Sequence, residues 1–164
     1  MRQVHGATVR RVDAPGDQGE ADALFTTRSE ISLAAATADC VPIVVAGNGG
    51  VAVVHAGWRG AVAGIVPAAL AALDEAGVEP ERAALGPAIR ACCYEVGPEV
   101  AAQFRGFTDR TTWGTTSLDL PAFLRAQLQA LQVWDAASCT MCTAGFHSHR
   151  GTGTPRRQVT LGWM

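Results

Sequence analysis

The sequence contains no lysine; all thirteen basic residues are arginine. That absence excludes Schiff-base catalysis and a Walker-type phosphate lysine within this chain. No basic run is present and the formal net charge is −2, so a nucleic-acid partner is not expected. Long apolar runs are also missing, and the first residues lack the pattern of a secretory signal. The expectation is a cytoplasmic protein with no membrane partner, a monomer or weak homo-oligomer. Without a secretory context, the five cysteines are expected to be reduced thiols rather than a disulfide framework. Cys92 and Cys93 are adjacent, which strains any bond between them, and they are expected as small buried hydrophobes.

What is present is globular in character: 164 residues, 48% apolar and 17% charged. A single domain over residues 1–164 is expected, long enough to bury about 70% of its unfolded surface. Short strands are expected at 8–12, 23–27 and 31–36, and after Gly60 a helix to about Ala76, closed by Gly77. Pro67 inside that helix implies a kink or a late start. A brief strand at 83–85 follows, then a helix opened by Pro98. Residues 111–117 read as loop. Leu120, Leu124, Leu128 and Leu131 have helical spacing after Asp119, which has the character of an N-cap. Late strands at 133–134 and 159–163 flank an arginine-bearing loop. Strands cluster early without strict β–α alternation, so the fold class is α+β with a mixed sheet.

The most informative run is Thr37–Gly60, TADCVPIVVAGNGGVAVVHAGWRG. Two β-rich segments, 41–46 and 51–55, flank the turn signal Gly47-Asn48-Gly49-Gly50. Pairing Ala46 with Val51 sets Pro42 opposite His55, with Cys40 one diagonal step away on the same face. A one-residue slip would turn His55 to the other face. Cys40 and His55 then have three readings: metal ligands, a thiol–imidazole dyad, or core residues. The Gly57-Trp58-Arg59-Gly60 turn into a helix offers backbone N–H groups and a guanidinium to an anion.

Further along, Cys139, Cys142, His147 and His149 spell C-x2-C-x4-H-x-H, a compressed version of a zinc knuckle. Arg150, Arg156 and Arg157, with Gly151 and Gly153 between them, suit an anionic substrate or a solvated basic loop. Glu95 could act as a general base if buried; an exposed side chain is the simpler expectation.

Taken together, QVHG at 3–6, ADAL at 21–24, TADCVP at 37–42 and VHAGWRG at 54–60 resemble the YfiH family. The likeness continues through GPAIRACCYEVGPEV at 86–100, DLPAFLRAQL at 119–128, CTMC at 139–142, FHSHR at 146–150 and RQ at 157–158. That family is also known as multicopper polyphenol oxidoreductase or laccase-like, and is associated with purine nucleoside phosphorylase activity. The resemblance implies a mixed β-sheet sandwich with helices, similar to toxin deamidases, and metal ligands His5, Cys40 and His55. Three protein ligands leave one position open, as in catalytic zinc sites. On that basis catalytic roles are expected for Cys40, His55 and Arg59, and contacts to phosphate or nucleoside from Arg59, Arg150, Arg157 and Gln158.

The implied activity is zinc-dependent phosphorolysis of adenosine, inosine, guanosine and methylthioadenosine, with adenosine deamination. Alternatives are a peptidoglycan-editing or thiol amidohydrolase activity through Cys40 and His55, a copper-dependent polyphenol oxidase, and an inactive metal-binding remnant. Against the oxidase stand only four histidines, fewer than multicopper chemistry needs. Relative to the family the chain is expected to lack an N-terminal segment ahead of QVHG. It also has Leu124 where an asparagine is usual, and His147 at a usually aromatic position, so the C-x2-C/His spacing reads as accidental.

Overall fold

The expected hairpin forms, and in the expected register. The computed structural model describes residues 1–164. Its elements are β1 (Val9–Arg11), β2 (Ala23–Thr26), β3 (Leu33–Thr37), β4 (Val41–Gly47), β5 (Gly50–Ala56), α1 (Trp58–Val62), α2 (Ile65–Glu75) and β6 (Pro80–Leu85). There follow α3 (Pro98–Ala101), β7 (Thr108–Arg110), β8 (Thr116–Leu118), α4 (Leu120–Gln127), β9 (Gln132–Asp135), α5 (His149–Thr152) and β10 (Gln158–Gly162). Strands β4 and β5 pair antiparallel with Ala46 against Val51 and Pro42 against His55. Only Asn48 and Gly49 are left to turn the chain, and Gly49 takes a φ of +83°, where a side chain would be strained.

The main sheet has six strands in the order β1-β2-β5-β4-β6-β9, parallel at its two outer pairs and antiparallel between. Strand β5 lies inside it and is buried along its whole length. The period of two therefore sends its side chains into two different cores. Val51 and Val53 join Leu24, Ile31, Leu33 and Ala35 on one face. Ala52, Val54 and Ala56 join Ile43, Ile65, Leu73 and Leu85 on the other.

The first face is covered by the antiparallel pair β3 and β10, which makes the sandwich. A Cβ at Gly162 would stand 2.6 Å from Val53 Cγ2, so a glycine there lets β10 lie close over the sheet. The second face is covered by α2, through Ile65, Val66, Ala69 and Leu73, and by α4, through Leu120 and Leu124. The fold is the mixed α+β sandwich the sequence implied. No helix is long and apolar enough to cross a membrane.

Pro67 explains the break between the first two helices. Gly64 takes a left-handed conformation and caps α2, so Pro67 falls in the first turn, where its missing N–H costs nothing. Asp119 caps α4, accepting from Ala122 N at 3.0 Å. Two segments depart from the expected reading. Residues 111–117 are not plain loop, because β8 begins at Thr116 and pairs with β7. The arginine-bearing loop contains the single turn α5, capped by Ser148 through a hydrogen bond from Gly151 N.

Candidate active site

The site assembles around Asp22, a carboxylate with no exposed surface at all. It immediately precedes β2, and β2 pairs with β5 so that His55 N donates to Asp22 O at 2.7 Å. The Asp22 side chain then accepts from three successive backbone groups, Val4 N (3.3 Å), His5 N (2.9 Å) and Gly6 N (2.7 Å). Its Oδ1 also accepts from His55 Nδ1 at 2.8 Å. One buried charge thus holds the chain's start in place, with His5 in the left-handed region at φ +62°. It also orients the His55 ring. Because Nδ1 donates to the carboxylate, His55 presents Nε2 outward, the arrangement a carboxylate–histidine pair gives a metal ligand.

Cys40 sits at the bend before β4, and His5 Nε2 lies 3.8 Å from its Sγ. The ligand atoms of His5, Cys40 and His55 are all within 4.8 Å of one another. Zinc–sulfur and zinc–nitrogen bonds of about 2.3 and 2.05 Å place donors about 3.6 Å apart around a tetrahedron. The trio fits one ion with displacements of a fraction of an ångström for the closest pair. Gly57 makes room for it, since a Cβ there would stand 2.9 Å from His5 Cδ2 and 3.2 Å from Cys40 Sγ.

Burial, reinforced by the Asp39 charge, pushes the Cys40 thiol up to about 11. A metal-free Cys40 is therefore a neutral thiol near neutral pH, and a poor nucleophile; a bound cation would favour its thiolate. Burial also lowers the His55 value, against the opposing effect of its hydrogen bond to Asp22. Both shifts disfavour a self-activated thiolate–imidazolium dyad.

The trio opens into a cavity of about 380 Å³, within the range of small-molecule sites. Arg59, Arg150 and Arg157 line it. None of the three is paired with a carboxylate, whereas Arg2, Arg11, Arg28 and Arg90 are. Arg59 lies over the Trp58 ring at 4.3 Å, and Arg150 over the Tyr94 ring at 5.2 Å. Arg150 Nη1 also donates to the Glu95 carbonyl at 2.6 Å. These contacts fix the guanidinium groups without neutralising them, so the rim carries positive charge for an anion. Helix α1 has only five residues. The guanidinium of Arg59, more than a helix dipole, supplies the attraction expected of the Gly57–Gly60 turn.

Gln158 does not line this cavity. Its amide is committed to His147, accepting from the backbone N at 3.0 Å and donating to the carbonyl at 3.3 Å. Glu95 is exposed and accepts from Trp113 Nε1 at 2.9 Å, which together with Thr115 lowers its pKa. The C-x2-C-x4-H-x-H residues do not form one donor group: Cys139 and Cys142 gather with Cys92 and Cys93. His149 lines the main cavity instead.

Three contributors were not singled out by sequence reasoning. Asp22 is the first; an acid within the apolar ADAL run, once paired opposite His55, was its available signal. Asp39 is the second, buried at φ +92°, accepting from Thr140 Oγ1 at 2.7 Å and Arg150 N at 2.6 Å. It fastens the bend that carries Cys40 to two distant loops. The third is Thr37, a residue of the cavity wall whose hydroxyl is buried and has no partner in the protein. Such a group is free to bond a ligand.

The chain is similar along its length to known proteins. A family described as multi-copper polyphenol oxidoreductase laccase matches residues 1–164. A purine nucleoside phosphorylase of Streptomyces coelicolor is 42% identical over 178 residues, covering 100% of this chain and 74% of its own. One from Deinococcus radiodurans is 40% identical over 184 residues, covering 99% and 72%. Among solved structures, a DUF152 protein of Neisseria meningitidis superposes with a TM-score of 0.88 at 31% identity, covering 99% of this chain and 72% of that one. YlmD from Geobacillus stearothermophilus gives 0.82 at 30% identity, covering 96% and 69%. The chain belongs to the multi-copper polyphenol oxidoreductase laccase family, that of the YfiH and DUF152 proteins.

Proposed function

We propose that this protein is a zinc-dependent purine nucleoside phosphorylase that accepts adenosine, inosine, guanosine and methylthioadenosine, with adenosine deamination as a second activity. The observation that carries the reading is one cavity holding both a His₂Cys donor set and three uncompensated arginines. The names of the Streptomyces and Deinococcus relatives support it. His5, Cys40 and His55 would hold the ion, leaving one position for substrate or water. Bound there, zinc supplies Lewis-acid polarisation of a ligand atom.

The protein's own residues account for the rest. Arg59, Arg150 and Arg157 bind phosphate and keep an oxygen directed at the ribose C1′. In phosphorolysis that oxygen bonds to C1′ while the C1′–N9 bond breaks, and its electron pair leaves with the purine, which takes up a proton. The arginines offset charge on the incoming phosphate throughout, in a partly enclosed site where such interactions are strong. Thr37 Oγ1 is available to a polar atom of the nucleoside.

The polyphenol oxidase reading draws on the family's description, and His₂Cys is also a copper donor set. A blue-copper centre adds a weak axial ligand, most often a thioether, and no methionine lines this cavity. The chain's four histidines do not suffice for a multicopper cluster either.

The test is incubation of the zinc-loaded protein with inosine, with and without phosphate. Hypoxanthine and ribose 1-phosphate are expected only with phosphate, and Arg59→Ala is expected to retain zinc while losing phosphorolysis. Base release that ignores phosphate, or phenol oxidation by a copper-loaded form alone, would overturn the reading. Conversion of adenosine to inosine by the same preparation tests the second activity.

A further inference from the structure

A second group of metal-ligating side chains lies outside the cavity. The sulfurs of Cys92, Cys93, Cys139 and Cys142 are all within 4.8 Å of one another, and none forms a disulfide. Cys92 Sγ and Cys142 Sγ are 3.8 Å apart. Zinc–thiolate bonds of about 2.3 Å generate a tetrahedron whose edges are about 3.8 Å long. We propose that these four cysteines form a structural metal site that holds one thiophilic divalent ion, zinc or its like, as a tetrathiolate.

The fold brings the sulfurs together by backbone means. Cys92 and Cys93 ride on a turn in which Cys93 N and Tyr94 N donate to Arg90 O at 2.9 and 2.8 Å. Cys139 and Cys142 ride on another, closed by Thr143 N donating to Cys139 O at 3.0 Å. A bridge between Ala88 and Cys139 joins the two, with Thr140 N donating to Ala88 O at 3.0 Å and Ala88 N to Ser138 O at 3.2 Å. Cys93 and Cys139 are buried against Ile89, with Tyr94 and Met141 packed around them, while Cys142 is exposed. The donors thus have an apolar shell and one open side for entry of an ion.

Packing alone does not account for four thiols meeting at one point. Small hydrophobes fill a core equally well without converging polar atoms, and paired disulfides would require sulfurs bonded at about 2.05 Å. Donors spaced this closely suit a single ion, since thiolates on a polynuclear cluster bind different metal atoms. Four sulfurs close the coordination sphere, so the role is structural rather than catalytic.

The ion would fasten two loops that build the active-site wall. The first carries Ile89 and Tyr94 into the cavity. The second, through Thr140 Oγ1, holds the Asp39 carboxylate beside Cys40. This site does not depend on the nucleoside phosphorylase reading.

Elemental analysis of the full chain, purified with zinc, tests the proposal. About two zinc ions per chain are expected, one for each donor group. Cys139→Ser/Cys142→Ser is expected to lose one, and His5→Ala/His55→Ala to lose the other. Cobalt(II) in place of zinc is expected to give intense sulfur-to-cobalt charge transfer that mostly persists in His5→Ala/His55→Ala and falls to the weaker band of the single Cys40 thiolate in Cys139→Ser/Cys142→Ser. If that double serine variant does not fold, wild-type protein serves. Zinc is then expected to protect Cys92 and Cys142 from iodoacetamide, and a chelator to abolish the protection. One zinc per chain that is lost only with the histidine variant would overturn the proposal, as would alkylation indifferent to zinc. One zinc lost only with the serine variant would sustain it while counting against the metal at His5, Cys40 and His55.

Discussion

Asp22→Asn is the sharpest probe of how the candidate site is held. The substitution keeps shape and removes one acceptor oxygen. In the native arrangement Oδ1 serves His5 N and His55 Nδ1, while Oδ2 serves Gly6 N and Val4 N. An amide must turn its NH₂ toward one of those pairs. Facing Gly6 and Val4, it sets donor against donor, and the segment carrying His5 lifts away. Facing His55, it forces Nδ1 to accept, which moves the ring proton to Nε2 and blocks the nitrogen that would bind metal.

Either way about two hydrogen bonds to a charged acceptor are lost, each worth about 1.5–3 kcal/mol. Val4 is exposed and Gly6 half-buried, so water recovers part of that. A net loss of about 2–4 kcal/mol follows, or roughly 5–15 °C in melting temperature for a chain of this size. Orienting carboxylates behind metal-bound histidines are typically worth about 10–100-fold in metal affinity. The assays are thermal unfolding of the metal-free protein and competition for zinc with a chromophoric chelator. A variant whose zinc affinity stays within about twofold of wild type, with an unchanged melting temperature, would refute this account of Asp22.

Three further outcomes follow from the same structure. Gly57→Ala adds a methyl that meets His5 Cδ2 at 2.9 Å and Cys40 Sγ at 3.2 Å, so zinc affinity should fall while unfolding of the metal-free protein changes little; unchanged affinity would show that the donors have room to move. Thr37→Val removes the unpartnered cavity hydroxyl, and with inosine as substrate KM should rise about 2- to 12-fold, the worth of one hydrogen bond, whereas an unchanged KM would place that hydroxyl outside the substrate's reach. The third concerns acid. Burial opposes ionisation of Asp135, but the Arg90 guanidinium and the Ala137 N–H outweigh it and hold the carboxyl below its ordinary value. Its contribution is therefore complete above the unfolded value of about 3.9 and is lost as pH falls through the lower folded value. Asp135→Asn should flatten the acid limb of a stability–pH profile measured below about pH 5, and an unaltered limb would contradict the assignment.

Much of the fold was legible because the relevant signals are local. Asn48-Gly49 is a turn signal whose flanking residues alternate cleanly, so the β4–β5 register and the diagonal placing of Cys40 followed from counting. Pro67 and Asp119 likewise act within one helical turn of where they stand. Strand β8 and helix α5 were less visible. Each is short, and each is set by distant partners: Leu118 N donates to Tyr94 O, and Arg150 N to Asp39. Such contacts leave no periodic trace in the sequence.

The candidate site divides along the same line. His5, Cys40, His55 and Arg59 lie in dense local motifs, but what makes them act together is Asp22, whose importance appears only when β2 lies beside β5. The sulfur group is the extreme case. C-x2-C suggested His147 and His149 as companions because they were nearest in sequence, whereas the structure supplies Cys92 and Cys93 from about fifty residues away. Nearness along the chain was a poor guide because Gln158 draws His147 aside and Ser148 caps the turn carrying His149. A donor spacing therefore has meaning only after the backbone hydrogen bonds around it are known. Here those bonds turn His149 to the cavity, tie His147 to Gln158 and gather the thiols.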